Sequence, residues 1–109
     1  MFSTFLKDED YTQLEKVFTD TLKLLSAEYE EKDIWDGYQY VVSFNNGYGI
    51  SIVKHQNSYG HEDDLWEIAV LKGKELCYDT PITDDVIGWL SSAEVMNYAM
   101  KVEMLPPVE

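Results

Sequence analysis

The side chains of this chain that could do chemistry gather in two short segments. The first contains His55 and His61, followed by Glu62, Asp63 and Asp64. Imidazole beside carboxylates could bind a divalent ion or transfer protons. The spacing matches no metal-binding motif, and two histidines cannot form a histidine-rich transition-metal site. We therefore interpret the segment as a polar surface loop, and a metal-dependent enzyme is the third of three functional classes.

The second segment contains Asp79, Asp84 and Asp85, on either side of a proline-containing turn. Three carboxylates around one turn could hold Mg²⁺ or Ca²⁺. However, Thr83 is a good helix N-cap, and acids in a first helical turn are stabilised by the helix dipole and by unpaired N–H groups. The pattern therefore favours the start of a short helix that runs to Trp89.

Nucleophilic catalysis has little support in the sequence. Cys77 is the single cysteine, and it lies in an apolar run where only Lys72 and Lys74 are near in sequence to supply the positive charge that a reactive thiol needs. The serines match no nucleophile elbow, and neither a P-loop nor a dinucleotide-binding glycine pattern occurs. The sequence therefore predicts a protein that is not an enzyme and that uses no cofactor or metal.

Hydrophobic periodicity predicts helices on both sides of a central region. Apolar residues recur every three or four positions from about Asp10 to Tyr29, which indicates an amphipathic helix. Further along, Ser91 and Glu94 match a capping box, and the helix that they begin should end before Pro106.

The central region alternates in the manner of β-strands. Four strands are predicted, at residues 38–44, 48–55, 65–71 and 75–78. Asn45-Asn46-Gly47 joins the first two, because Asn and Gly both accept the positive φ of a tight hairpin. We expect one α+β domain over residues 1–109, a four-stranded antiparallel meander flanked by an N-terminal helix and C-terminal helices packed on one face.

The composition is strongly acidic. The chain carries 21 Asp and Glu against 8 lysines, with no arginine, for a formal charge of −13. Without the planar guanidinium fork, the protein is poorly equipped to hold phosphate groups, which argues against nucleic acid as a direct ligand. Residues 28–36 are expected to form an acidic connector after the first helix. We predict that a basic partner binds the clustered acids Glu28, Glu30, Glu31, Asp33, Asp36, Glu62, Asp63 and Asp64.

Clustered carboxylates could imitate a nucleic-acid backbone. Side chains three or four positions apart on a helix lie ~5–6 Å apart, which is on the scale of successive phosphates. Such a surface would occupy the basic channel of a nucleic-acid enzyme, with fast association that weakens as salt rises. The alternative explanation of the acidity is solubility alone.

A tyrosine-rich stretch offers a second surface. No Asp or Glu lies between Gly37 and His61, and this stretch contains Tyr38, Tyr40, Tyr48 and Tyr59. An uncharged aromatic composition is typical of binding patches, although tyrosine is also a good strand former. This surface is the basis of a second functional class, described below.

The remaining features indicate where the protein acts. No segment approaches the roughly 20 apolar residues of a membrane span, and the first residues are not a basic leader, so we expect a cytoplasmic protein without membrane contact. A lone cysteine fits a reducing compartment. The oligomeric state stays open between a monomer and a dimer paired along an exposed strand edge.

Three motifs resemble a family of small proteins that bacteriophages and prophages encode. They are an NGYG hairpin at Asn46–Gly49, an ELAVL-like strand at Leu65–Leu71 and the segment CYDTPITDDVIG at Cys77–Gly88. The similarity covers roughly residues 41–90 and provides no catalytic residues. It implies a phage origin and action inside a bacterial host cell. By analogy, small acidic phage proteins often bind and block a host enzyme.

These observations lead to two hypotheses about function. The first is a non-enzymatic phage protein whose acidic surface docks on a basic host protein, a nucleic-acid enzyme or defence nuclease, and inhibits or modulates it. The alternative is a structural, assembly or replication accessory protein of the phage that uses its tyrosine-rich sheet surface.

Overall fold

The structure, a computed structural model, describes residues 8–34, 37–83 and 86–108. Its elements in chain order are α1 (Asp8–Leu25), β1 (Glu28–Ile34), β2 (Gly37–Ser43), β3 (Tyr48–Lys54), a 3-10 helix (His61–Asp63), β4 (Trp66–Lys72), β5 (Glu75–Leu76), β6 (Ile87–Leu90) and α2 (Ser92–Glu103). The strands form one antiparallel sheet in the order β1-β2-β3-β4-β5, and β6 pairs with β4 beside β5. The predicted α+β class is confirmed. The predicted number of four strands is wrong, because the described residues form six.

Both helices pack on one face of the sheet. Alternate side chains of the central strands point to this face, where Tyr40, Ile52 and Ile68 form one buried row across β2, β3 and β4. The helices add residues at helical spacing to the same core, namely Phe18 and Leu22 from α1 and Val95, Ala99 and Val102 from α2. We call this side the helix face and the opposite side the open face.

The start of α2 has the predicted capping box. Ser91 Oγ accepts a hydrogen bond from Glu94 N–H at 3.2 Å, and a Glu94 carboxylate oxygen accepts one from Ser91 N–H at 3.0 Å. The Trp66 indole N–H donates to Ser92 Oγ at 3.2 Å, which ties the first turn of α2 to β4. The helix ends before the two prolines, as predicted.

The hairpin between β2 and β3 lies where predicted but has a different turn. Gly47 N–H donates to Phe44 O at 3.3 Å, and within the turn only Gly47 has a positive φ, at 89°. This is a turn followed by a left-handed glycine, rather than a two-residue turn in which Asn and Gly both have positive φ. The backbone conformation therefore does not explain Asn46.

The Asn46 side chain instead joins the hairpin to the end of α2. Its Nδ2 group shares two N–H donors among three carbonyl oxygens, those of Val102 (2.9 Å), Glu103 (3.1 Å) and Leu105 (3.0 Å). Its Oδ1 atom accepts from Tyr48 N–H at 3.0 Å, and its own carbonyl oxygen accepts from Val108 N–H at 2.8 Å. Asn46 thus binds carbonyls in the last turn of α2 and in the segment directly after it, where helix carbonyls lack a continuing helix to pair with.

The predicted acidic connector is a strand. Most of it forms β1, and the predicted first helix ends at Leu25 rather than near Tyr29. The charged residues of β1 are compatible with a strand because β1 is the first strand of the sheet order and pairs with β2 alone among the described strands. Charged side chains are common at sheet edges, where they oppose pairing with another molecule.

The predicted short helix from Thr83 to Trp89 is also wrong. The chain forms β6 instead, which pairs with Trp66 and Ile68 of β4. The predicted cap depended on Asp84 and Asp85, which lie outside the described residues. Pairing with the exposed edge of β4 satisfies backbone groups of both strands, and this tertiary gain outweighs a local capping signal.

Candidate functional site

Strand β1 divides the predicted acidic residues between the two faces of the sheet. Side chains of a strand alternate, so Glu31 lies on the helix face opposite Tyr40, and Asp33 lies on the same face. Glu28 and Glu30 lie on the open face. Asp36 lies outside the described residues. The spacing of ~5–6 Å expected for helical acids does not apply here, because the residues form a strand.

One row of residues at the end of the sheet brings the two acidic clusters together. Asp33, Tyr38 and Lys54 are register neighbours across β1, β2 and β3, and Lys54 Nζ lies 3.1 Å from Asp64 Oδ1. Since neighbouring strands lie ~4.8 Å apart, the backbones of Asp33 and Lys54 are about 10 Å apart across two strand spacings. We define the acidic end as Glu31, Asp33, Glu62, Asp63 and Asp64.

Lys54 is held in place at the acidic end. Its ammonium group lies 4.2 Å from the centre of the Trp66 ring, and its side chain is only 20% exposed. A cation over an aromatic face is stabilised by the ring quadrupole. Glu62 and Asp63 are exposed, and neither forms an ion pair with the described residues. Apart from Asp64, the acidic end therefore keeps carboxylates that form no ion pair with a cation of the described residues.

Glu31 has a hydrogen-bonded neighbour. It accepts a hydrogen bond from the Tyr29 hydroxyl at 2.9 Å. Burial, and then this hydrogen bond, raise the pKa of Tyr29 well above its usual value. The Tyr29 hydroxyl therefore remains a neutral donor that fixes the Glu31 carboxylate on the helix face.

The acids of the open face have cationic neighbours. Glu28 lies 3.7 Å from Lys74 Nζ, and Glu30 lies 3.4 Å from Lys32 Nζ. All of these residues except Glu28 border a shallow groove of about 390 Å³, lined by Glu30, Lys32, Gln39, Val41, Ser51, Leu71, Lys74 and Leu76. The two faces of β1 thus carry different carboxylates, and those of the open face are paired with lysines.

An exposed aromatic pair lies beside the acidic end, and sequence reasoning missed it. The rings of Tyr59 and Trp89 are stacked with centroids 5.4 Å apart, and the residues are 56% and 57% exposed. With Glu62 and Asp63 they border a depression of about 250 Å³ that also includes residues 56–58 and Gly60. The residues of the pair are distant in sequence, so no local pattern indicates their contact.

Two glycines and one carboxylate hold the aromatic pair. A Cβ on Gly88 would clash with the side chain of Tyr59, and a Cβ on Gly60 would lie 2.9 Å from the Trp89 backbone. Tyr59 N–H donates to a Glu67 carboxylate oxygen at 3.0 Å. These close contacts are the signal that could have indicated the site, because glycine in or beside a strand often marks a close backbone approach.

His55 is buried and forms hydrogen bonds with the loop that follows it. It is 8% exposed, and its Nδ1 atom accepts from Asn57 N–H at 3.1 Å. Ser58 Oγ donates to the His55 carbonyl at 2.9 Å and accepts from its N–H at 3.0 Å. The described part of the chain contains no group of three or more His, Cys, Asp or Glu arranged for a metal ion. The His61 side chain lies outside the described residues.

Cys77 lacks the environment of a nucleophile. It is buried, and its Sγ–H group donates to Asp79 Oδ1 at 2.9 Å. This hydrogen bond, together with burial, raises the pKa of the thiol. A reactive cysteine needs the opposite shift, since the thiolate is the nucleophile.

The tyrosine-rich stretch does not form one continuous surface. Tyr40 is buried in the core, and Tyr48 is half-buried against it. Tyr38 and Tyr59 are more than half exposed. The structure therefore reduces the predicted tyrosine surface to separate exposed residues.

Comparisons of the chain with protein-family models, curated proteins and solved structures find no match. The resemblance to the phage family therefore stays a prediction. Among the described residues, no helix is both long enough and apolar enough to cross a membrane.

Proposed function

We propose that the protein is a non-enzymatic, phage-encoded binding protein that acts in the cytoplasm of the bacterial host. Its acidic surface docks on a basic host protein, a nucleic-acid enzyme or defence nuclease, and inhibits or modulates it. The observation that supports this most is the row at the acidic end, where Asp33 and Asp64 lie on either side of Lys54. Two acidic clusters that are distant in sequence thereby become one candidate surface.

Electrostatics indicate what this surface contributes. An exposed ion pair contributes only about 0.2–1 kcal/mol, so single pairs at the acidic end do not determine affinity. An array of carboxylates within a net charge of −13 instead attracts a basic protein over distance and orients it. Association should therefore be fast at low salt and should slow as salt screens the charges.

The strand geometry alters the comparison with a nucleic-acid backbone. Glu31 and Asp33 lie two residues apart on one face of β1, and such residues are separated by about 6.6–6.8 Å. Glu62 and Asp63 of the 3-10 helix directly precede Asp64, the ion-pair partner of Lys54, and add further charges there. A basic channel that binds phosphates would meet a row of charges along the strand end.

Capture from bacterial lysate tests this proposal with a matched pair of variants. Glu31→Gln/Asp33→Asn removes two charges from the acidic end, and Glu28→Gln/Glu30→Gln removes two from the open face of the same strand. Each protein is used as bait at about 50 mM and about 500 mM salt, where screening is weak and strong. Mass spectrometry then quantifies the captured proteins.

The proposal expects basic nucleic-acid proteins that wild type captures at low salt and releases at high salt. The Glu31→Gln/Asp33→Asn bait should lose them, and the Glu28→Gln/Glu30→Gln bait should keep them. Circular dichroism checks that both variants remain folded. Equal capture by both variants would contradict the assigned surface. Salt-insensitive capture of phage structural proteins would contradict the function and support an accessory role in assembly.

A further inference from the structure

The Tyr59–Trp89 pair is an aromatic stack on the surface, whereas other aromatic residues of the described chain stack within the core. Phe18, Tyr40 and Trp66 pack against one another in the core, whereas Tyr59 and Trp89 are more than half exposed. Tyrosine and tryptophan are enriched among the residues that dominate binding energy at protein interfaces. The exposure of this pair therefore points to contact with another molecule.

The pair is also rigidly positioned. Trp89 has a φ of 55°, in the left-handed region that is unfavourable for a bulky residue, and Gly60 has a φ of 95°. The Trp89 N–H group donates to Tyr59 O at 3.4 Å, so the two backbones are joined as well as the two rings. A contact surface that is fixed before binding loses less conformational entropy when a partner arrives.

The chemistry of the depression favours a cation. Glu62 and Asp63 line it together with Tyr59 and Trp89. Carboxylates and aromatic faces both attract positive charge, and a planar guanidinium can stack on a ring while it pairs with a carboxylate. The chain itself has no arginine, so such an occupant comes from another molecule.

The size of the depression fits one side chain. Its volume is about 250 Å³, below the roughly 300–1,000 Å³ of pockets that take drug-sized ligands. A basic protein that approaches the acidic end would present its side chains directly to this depression, since Asp63 and Asp64 are consecutive.

We propose that the depression receives an arginine side chain of the basic partner, with the guanidinium over the Tyr59 and Trp89 rings and paired with Glu62 and Asp63. This inference rests on the proposed binding function and deepens it. The acidic end attracts and orients the partner, and the aromatic depression provides the anchoring contact that distinguishes arginine from lysine.

A peptide titration tests the depression without the natural partner. The probe is a blocked tetra-arginine peptide, compared with lysine and citrulline peptides of the same length, and the readout is the indole N–H signals in two-dimensional NMR. The Trp89 signal should shift and saturate with the arginine peptide. The buried Trp66 indole, which donates to Ser92 Oγ, is the internal reference. A Trp89 signal that does not move, or that responds equally to the lysine peptide, would overturn the proposal.

Variants with matched controls measure the contribution of the site. Trp89→Asn removes the ring while asparagine tolerates the left-handed backbone, and it should weaken arginine-peptide binding about two- to fivefold. Leu76→Asn, at a residue that is also 57% exposed but borders the open-face groove, should leave binding unchanged. Glu62→Gln/Asp63→Asn should weaken it more than Glu28→Gln/Glu30→Gln, which has the same net charge. Equal effects within either pair would contradict the proposal.

The two proposals can fail separately. If Glu31→Gln/Asp33→Asn abolishes capture of host proteins and Glu28→Gln/Glu30→Gln does not, but Trp89 does not respond to the arginine peptide, the inference is overturned and the binding function stands. If Trp89 responds but no basic host protein is captured, the proposed function is overturned and the arginine site stands. Should Trp89→Asn fail to fold, the wild-type NMR shifts still decide the question.

Discussion

The two ends of the sheet differ in the contacts that their residues make. At the end of the β2–β3 hairpin, which we call the hairpin end, Asn46 joins the hairpin to α2 and to Val108, and Gly73 N–H donates to Gly47 O. At the acidic end, carboxylates gather beside exposed aromatic rings and beside a tryptophan in the left-handed region.

The contrast indicates where stability and function lie. The hairpin end pairs polar groups that folding would otherwise leave without partners. The acidic end keeps like charges together and holds Trp89 in an unfavourable conformation, features that cost free energy and that cluster at functional sites. We therefore expect substitutions at the hairpin end to affect folding and those at the acidic end to affect binding.

The largest expected effect is at the hairpin end. Asn46→Ala removes four side-chain hydrogen bonds, so the free energy of unfolding should fall by about 2–4 kcal/mol. Asn46→Asp should be at least as destabilising, because a carboxylate cannot donate and lies at the negative end of the α2 dipole. Urea denaturation measures both.

The neighbouring Asn45 provides the control for this prediction. It is exposed, and Asn45→Ala should change stability by less than about 0.5 kcal/mol. Similar losses for Asn45→Ala and Asn46→Ala would mean that the turn, rather than the connection to α2, determines stability at this end.

A smaller effect is expected for the lysine of the acidic end. Lys54→Met removes the ion pair with Asp64 and the contact with the Trp66 ring, so stability should fall by about 1–2 kcal/mol. Because the variant is more acidic, it should bind the arginine peptide faster. Lys74→Met, which removes the pair with Glu28 on the open face, makes the same charge change.

Denaturation and stopped-flow binding compare the two lysine variants. Lys74→Met should lose less stability, since its ion pair is exposed and has no ring contact. The distinction between the faces is refuted if Lys74→Met accelerates peptide binding as much as Lys54→Met does.

A near-zero effect on stability is expected for Trp89→Gly. Loss of the stacked ring should lower the free energy of unfolding by about 0.5–1.5 kcal/mol. Glycine adopts the left-handed conformation without strain, which should raise it by about 1–2 kcal/mol. The melting temperature should hardly change while arginine-peptide binding weakens. The reverse substitution, Gly47→Ala at the hairpin end, should destabilise, because Gly47 has a φ of 89° and a Cβ there would lie 3.0 Å from Val108. A large loss of stability for Trp89→Gly would identify Trp89 as a folding residue.

The smallest expected effect is a pH dependence at the start of α2. The hydrogen bonds from Ser91 hold the pKa of Glu94 below its usual value of 4.5. A lowered folded-state pKa means that the carboxylate stabilises the fold above its unfolded pKa and that this contribution is lost as the pH falls through the folded value. Wild type should therefore lose its advantage over Glu94→Gln as the pH falls below the usual carboxyl pKa of 4.5 and through the lower folded-state pKa. Melting curves measure the difference, and a constant difference would contradict the prediction.

The sequence predicted those parts of the fold whose signals are local. The Ser91–Glu94 capping box and the position of the Asn-Gly hairpin follow from residues that contact one another within three or four positions. Strand β1 was missed because a run of acidic residues resembles a connector, and its conformation depends on pairing with β2. Strand β6 likewise depends on the available edge of β4.

The candidate site was predicted only in part, for the same physical reason. The acids were identified by composition. Their division between two faces was not predicted, because it follows from the alternation of side chains along a strand and this segment was interpreted as a connector. The contacts of Asn46 with α2 and of Tyr59 with Trp89 join residues that are distant in sequence. Such contacts arise from the tertiary fold, and no short-range pattern specifies them.

The position of β1 at the edge of the sheet also bears on how the protein can be handled. Its outer backbone groups face no other described strand, and its carboxylates repel the same strand of a second molecule at neutral pH. Near the sequence isoelectric point of about 4.3, the protein has no net charge, so repulsion between molecules is weak and an edge that no described strand covers becomes available for pairing. The negative charge of β1 thus protects the protein against aggregation through this edge. Concentrated solutions should stay clear near neutral pH and form β-rich aggregates in acid.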